Sequence, residues 1–523
     1  MCANRSSFRL ATDPPRILSL AAVVLLSAAT STLAETNQPL SAIDWLSRSV
    51  AQPPVPVALP QGSQKPETGD IIVTPIAGPG PDGLGIVSSA RSGLPDDFWG
   101  PTDTAEAERL IRTERPDALP ALRSLLTTIL LAELAAPVGG GPAGGYFLTR
   151  VDKLLEMGNL DPALALLERP TVQTPEIFRR RFDIALLTGL ENEACKTMRE
   201  TPQIAPSFPA RIFCLARGGD WAAAALSLRT GEALGFINAT EADRLSRFLD
   251  PELYEGQPDA EVPDPVTPLD LRILEAIGQP VPTTTFPVAF AHSDLRSNAG
   301  WKTRIEAGER LARMGAISPN LLLGLYTERE PAASGGVWDR VSAIATLDAA
   351  LSADEPDRIA EILPDVWDRM AEVELEVPIA HLFGRELARL NLPGAAGQRA
   401  FRLGLLSEAY ESVARDREPA DGIEPFLIGL AQGDVTGIAP PDQMGGAIGE
   451  AFSGAAGIDD ETRLLLDQAR LGEVVLTAMD DITEGAKGDL RRVTAGLIAL
   501  RHVGLESVAR RTALELLLLE RRG

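Results

Sequence analysis

Histidine, cysteine and unbroken apolar runs are all scarce in this 523-residue chain, and each scarcity closes off chemistry. Its three histidines, His292, His381 and His502, lie in separate segments, with no HExxH and no paired-cysteine spacing. The sequence therefore spells out neither a zinc protease nor a structural zinc site. No Gly-x-Ser-x-Gly elbow is present, so nucleophilic acyl transfer has no visible serine. The acidic pairs Asp96-Asp97, Asp459-Asp460 and Asp480-Asp481 lack the alternating ligands and glycine of an EF-hand loop, and read as helix caps and solvated turns. Basic residues number 49 against 73 acidic ones, a net charge of −24. So acidic a chain repels nucleic acid and anionic lipid. No cofactor and no enzymatic activity are expected.

What is present begins with an export signal. Arg5, Arg9 and Arg16 form a basic start, Ile17 to Ala29 is an apolar run too short to span a bilayer comfortably, and Thr32-Leu33-Ala34 offers a cleavage site. Residues 1–34 are thus expected to be removed, with an uncleaved N-terminal anchor as the alternative, leaving a periplasmic chain near −26 with no membrane span in the mature part. Cys2 precedes the apolar run and is not placed as a lipoprotein cysteine. Residues 35–93 read as a disordered, Pro-rich tether with polyproline-like stretches. Within it, Ser41 to Val50 is amphipathic, with Ile43, Leu46 and Val50 on one helical face beside Trp45. It suits either docking into a partner groove or packing on its own body. Ile71 to Ile76 and Leu84 to Ser88 are candidates for a small β-hairpin, and Thr102 or Asp103 for the cap of the first helix.

The chain is organised around Phe147 to Leu228, where one pattern is written three times: spaced apolar residues, then Gly, then Ala five residues later. The copies run Phe147, Val151, Leu154, Leu155, Gly158, Ala163; then Phe178, Phe182, Ala185, Leu186, Gly189, Ala194; then Phe208, Ile212, Leu215, Ala216, Gly219, Ala224. That is the period of a helical hairpin. Cys195 and Cys214 lie symmetrically about the turn at Pro202 to Ser207, so an antiparallel helix pair brings them opposite each other. In an oxidising compartment a disulfide is expected there; two buried thiols are the alternative.

Gly219-Asp220-Trp221-Ala-Ala-Ala224 resembles the helix-to-helix turn of tetratricopeptide repeats, and Gly158-Asn-Leu-Asp-Pro-Ala163 and Gly189-Leu-Glu-Asn-Glu-Ala194 are weaker versions of it. Asp161-Pro162 reads as a capping carboxylate followed by proline at the first helical position. Pro170 and Pro202 shorten the second helices and account for the short period. The resemblance implies stacked hairpins around a concave, partner-binding groove.

A Pro-rich linker is expected over residues 251–300, with one helix capped at Thr267, dividing a repeat lobe (94–250) from a second helical lobe (301–420) and a C-terminal region (421–523). Gly404 to Ala409 repeats the turn spacing, Asp421 to Gly457 is ambiguous, and Gly504 with Ala509 closes a final hairpin whose apolar side must meet the preceding hairpin or a partner. The expected fold is all-α, an α-solenoid in two lobes.

Ile43-Asp-Trp-Leu-Ser and Gly93 to Gly100 are similar to uncharacterised exported proteins of alphaproteobacteria. The expectation is a non-catalytic envelope scaffold, with envelope proteins or a peptide segment as partners. The alternative is a peptidoglycan-associated accessory or a lytic transglycosylase-like protein, for which Glu506-Ser507 is the one matching pair of letters.

Overall fold

The computed structural model describes residues 80–139, 144–331, 333–420, 422–454 and 456–519, and from Gly80 onward these form a single compact unit. The fold is all-α, with a two-residue parallel pair, Val87–Ser88 beside Ala132–Glu133. After a single helical turn at Ser89–Ser92, the first two long helices are α1 (Thr104–Thr113), capped by the Asp103 carboxylate on the Ala105 N–H, and α2 (Pro120–Leu131). Three hairpins follow: α3 (Gly145–Glu156) with α4 (Leu160–Leu167), α5 (Pro175–Thr188) with α6 (Glu191–Glu200), and α7 (Phe208–Arg217) with α8 (Trp221–Ala233).

All three end their first helix in one way. Gly158, Gly189 and Gly219 have φ of 80°, 84° and 86°, and the next N–H reaches back five residues, as in Asn159 to the Leu154 carbonyl at 2.8 Å. This is the Schellman closure, which needs a left-handed residue and so favours glycine. Ala163 and Ala224 are fully buried where each second helix crosses its first. One cap differs from expectation. Helix α4 starts at Leu160, so Asp161 lies within its first turn, and the N-cap is Asn159.

Beyond the hairpins, α9 (Ala239–Leu249) and α10 (Pro268–Ala276) carry full capping boxes at Asn238 and Thr267. The hairpin of α11 (Trp301–Arg313) and α12 (Pro319–Tyr326) leads to α13 (Val337–Ser352) and α14 (Pro356–Ala371). The remaining long helices are α15 (Gly394–Leu405), α16 (Glu424–Gln432), α17 (Gln443–Phe452), α18 (Leu471–Gly485), α19 (Leu490–His502) and α20 (Glu506–Leu518). The ambiguous stretch 421–457 thus supplies two helices. Gly404 makes no turn. It lies inside α15, where a Cβ would come within 2.7 Å of Val413.

The chain closes on itself, its last helices meeting its first. Helix α20 packs on α2, and α18 on α1. The Glu515 carboxylate accepts the Ala121 N–H at 2.9 Å, the Gly472 N–H donates to the Phe98 carbonyl at 2.8 Å, and Arg115 pairs with Glu484 at 2.9 Å. The apolar side of the last helix is therefore covered by the second. Phe98 and Trp99 are buried in this seam. One core runs through the closed body from Leu94 to Leu519. The expected linker contributes to it through Ala289 and Phe290, which are almost fully buried, because apolar surface there is worth about 25 cal/mol per Å² removed from water.

A second core belongs to the lobe built from α5 to α10. Helix α5 serves both: Ile177, Ile184 and Leu187 face the body, while Phe178, Phe182 and Leu186 face the lobe. The structural division therefore falls along α5, inside the repeats.

Residues 80–93, expected to be tether, are also ordered against the body. Asp82 accepts the Phe147 N–H at 2.8 Å and the Gly144 N–H at 3.1 Å, capping α3 from a distance. Leu84 to Ser88 pairs through its last two residues with Ala132–Glu133 in parallel, so it is not one arm of a local hairpin. Two buried cations on α3 tie the start of the fold together. Arg150 donates to the Leu130, Ala132, Asp82 and Leu84 carbonyls, and Lys153 to those of Arg112 and Glu114. Positive charge at carbonyl-rich helix ends is where the helix dipole favours it.

Candidate binding cleft

The lobe carries a cleft of about 300 Å³. One wall is helical: Arg179, Phe182 and Asp183 from α5, Pro209 and Ala210 from α7, and Glu241, Arg244 and Leu245 from α9. The opposite wall is the chain running into α10, from Pro263 and Pro265 to Leu269, Asp270 and Ile273. First helices of successive hairpins line the concave side of a helical-repeat stack, and here they supply a mixed apolar and charged floor.

Most charges in the cleft already have partners. Arg244 donates to Asp270 at 3.1 Å, and Glu241 and Asp270 accept the backbone N–H groups of their own caps. On the body side of α5, Arg180 grips Asp152 through two hydrogen bonds of 2.5 and 2.7 Å, holding the lobe to α3. Asp183 is the exception. Only 7% exposed, it has an Oδ2 that accepts no hydrogen bond among the described residues, and its ion pair with the Arg179 Nε is long, at 3.9 Å. Burial pushes its carboxyl up to about 6, against the pull of Arg179 and Arg180 and with a further push from Asp152.

The cysteines stand behind the cleft. A disulfide joins Cys195 on α6 to Cys214 on α7, with their Cα atoms 5.0 Å apart and both side chains buried in the lobe core. It fixes the second hairpin to the third, beneath the α5 and α7 residues of the floor. The repeat-turn residues Gly158, Gly189 and Gly219 set the hairpins, with Ala163 and Ala224 buried at the crossings and Ala194 half-buried. Gly504 and Ala509 form the same turn in the α19–α20 pair, with Gly504 at φ 85°, but that turn belongs to the closed body. Ile43, Trp45, Leu46 and Val50 lie outside the described residues, as do Ile71 to Ile76 and residues 1–34.

Glu506 is half-buried near the start of α20. Burial raises its carboxyl, but Arg501 and Arg510, each donating at 2.8 Å, outweigh that and hold it below the usual range. A general acid needs the reverse shift. His292 is buried with Nε2 at 2.8 Å from the Gly158 carbonyl, where desolvation lowers its pKa and that contact partly offsets the fall. It anchors a repeat turn. Among the described residues there is no cluster of three or more metal-ligating side chains, and no helix is long and apolar enough to cross a membrane.

Sequence reasoning passed over Asp183 and Arg179 because both sit within the helical pattern of α5 at ordinary polar positions. Their one signal was two charges at i and i+4 flanking Phe182, next to the aromatic face of the second repeat. No family model, curated protein or solved structure matches the chain. The class that the fold defines is an all-α protein of helical hairpins.

Proposed function

We propose that this protein is an exported, non-catalytic scaffold of the cell envelope, which holds a peptide segment of a partner protein in the cleft of its repeat lobe. The observation that carries this reading is the cleft itself, lined by first helices of adjacent hairpins and backed by a separate, disulfide-linked core. A rigid floor lowers the ordering cost of binding an extended segment. The basic and apolar N-terminus supports export, and a disulfide in this setting fits an oxidising compartment. The ion-paired state of Glu506 tells against glycan cleavage.

A pull-down from solubilised envelopes tests the scaffold. Recovery of a defined set of proteins is the expected result. Failure to recover any, together with co-sedimentation of the purified protein on isolated cell wall, would favour a peptidoglycan accessory. Deletion of Ser41 to Val50 is expected to weaken recovery without altering thermal unfolding; unchanged recovery removes that segment as a docking element.

A further inference from the structure

We propose that the cleft recognises a cationic side chain, a Lys or Arg projecting from an extended partner segment, with the Asp183 carboxylate as its acceptor. The inference rests on the reading of the cleft as a peptide site and adds the chemistry of the anchor. Its starting point is an imbalance. Buried polar oxygens in folded proteins almost always have a donor, and a buried carboxylate without one costs more than a neutral group. Asp183 Oδ2 has none among the described residues. The nearest cation is Arg179 Nε at 3.9 Å, which satisfies charge without closing a hydrogen bond.

The cleft around it is selective for sign. At the floor Arg244 pairs with Asp270 and Glu241 with its own helix cap, while Asp183 has only its long ion pair with Arg179. Glu261 and Asp264, both exposed, flank Pro263 of the far wall in the sequence. Over the whole chain the net charge of −24 draws cations towards the surface and repels acidic segments. An ammonium or guanidinium entering the cleft would give the Asp183 carboxylate the donor it lacks through a charge-assisted bond. Pro209, Pro263 and Pro265 present rigid apolar walls on either side, suited to the flanks of an extended peptide in the polyproline conformation.

Fluorescein-labelled nonapeptides of alternating Pro and Ala, with a single central Arg, Lys, Gln or Glu, test this by anisotropy against the full-length chain. The Arg and Lys peptides are expected to bind roughly tenfold more tightly than the Gln peptide, as for a charged hydrogen bond, and the Glu peptide more weakly still. The Asp183→Asn variant, its fold checked by circular dichroism and thermal unfolding, should bind the Gln peptide as before and lose the preference for Arg and Lys. Equal binding of all four peptides, or a preference that survives Asp183→Asn, overturns the cationic anchor while leaving a peptide cleft standing. Absence of binding by any of them also overturns it. Tenfold tighter binding of the Arg peptide in an Arg48→Gln variant would assign the cleft to the chain's own Ser41–Val50 segment and overturn the partner as its occupant. Failure of the scaffold reading shows separately, as an empty pull-down.

Discussion

At the scale of single residues, burial raises several carboxyls, Glu114, Asp183, Asp294 and Asp481 among them. Glu114, at the end of α1, is 6% exposed, and burial pushes it up to about 8, helped by Asp480 and opposed by Lys153. The folded state therefore holds a proton that the unfolded chain releases near 4.5. Stability from this group falls as pH rises from about 4.5 to 8, because the folded form binds more protons over that window. Glu114→Gln is expected to flatten the decline and to raise stability at pH 8.5 by on the order of 3 kcal/mol, read from urea denaturation at a series of pH values. Asp183, pushed up to about 6 chiefly by burial, behaves likewise over pH 4 to 6. In the absence of a partner, Asp183→Asn should stabilise the protein at pH 7 by roughly 2 kcal/mol. A destabilised Asn variant would mean that the carboxylate already has the donor that its geometry lacks.

At the scale of elements, the repeat turn explains what could be read from the sequence and what could not. The three hairpins between Phe147 and Leu228 are legible because glycine occupies each left-handed position. The same five-residue closure recurs further on with other residues there: Asp354 before the Glu355 to Ala350 bond, Glu374 before Leu375 to Met370, and Ala469 before Arg470 to Leu465. Without the glycine those three turns lose their signature, although the backbone performs the same manoeuvre, whereas Gly315 and Gly504 keep it. Ala469, at φ 57°, carries a steric cost that glycine would not. Ala469→Gly is expected to stabilise by about 0.5–1 kcal/mol, net of the added freedom of the unfolded chain, measured as a shift in denaturation midpoint. The cleft was less legible than the hairpins, since its far wall comes from the Pro-rich stretch before α10, whose docking no local pattern announces.

The disulfide acts at this scale too. It closes a 19-residue separation within the lobe. Replacing both Cys195 and Cys214 by Ser should cost roughly 3 kcal/mol in the chain-entropy model. The loss is expected in the lobe, visible as faster amide exchange in α6 and α7 with α18 to α20 unaffected. Uniform loss across the chain would mean that lobe and body unfold as one unit.

For the molecule as a whole, closure was the feature least accessible from the sequence, because a helical period says nothing about which distant hairpin a terminal face will meet. The final helix, with Leu514 and Leu518 buried, is apolar enough to demand a partner, and α2 supplies one. Glu515 also caps α2 across a separation of 394 residues, where α2 has no side-chain cap of its own. Glu515→Ala should therefore cost about 1–2 kcal/mol and loosen residues near Pro120 as well as those near the C-terminus. Hydrogen exchange confined to α20 would contradict this.

That long-range seam also dictates an order of events for a chain delivered N-terminus first. An open repeat array can fold as each hairpin emerges, since every unit contacts only its neighbours. Here, the helices α1 and α2 wait for partners more than 350 residues downstream, which gives the body a high contact order and a late completion. The second core of the cleft-bearing lobe uses only residues up to α10, so it can form and be stapled before the last helices arrive, while the other face of α5 waits for the body.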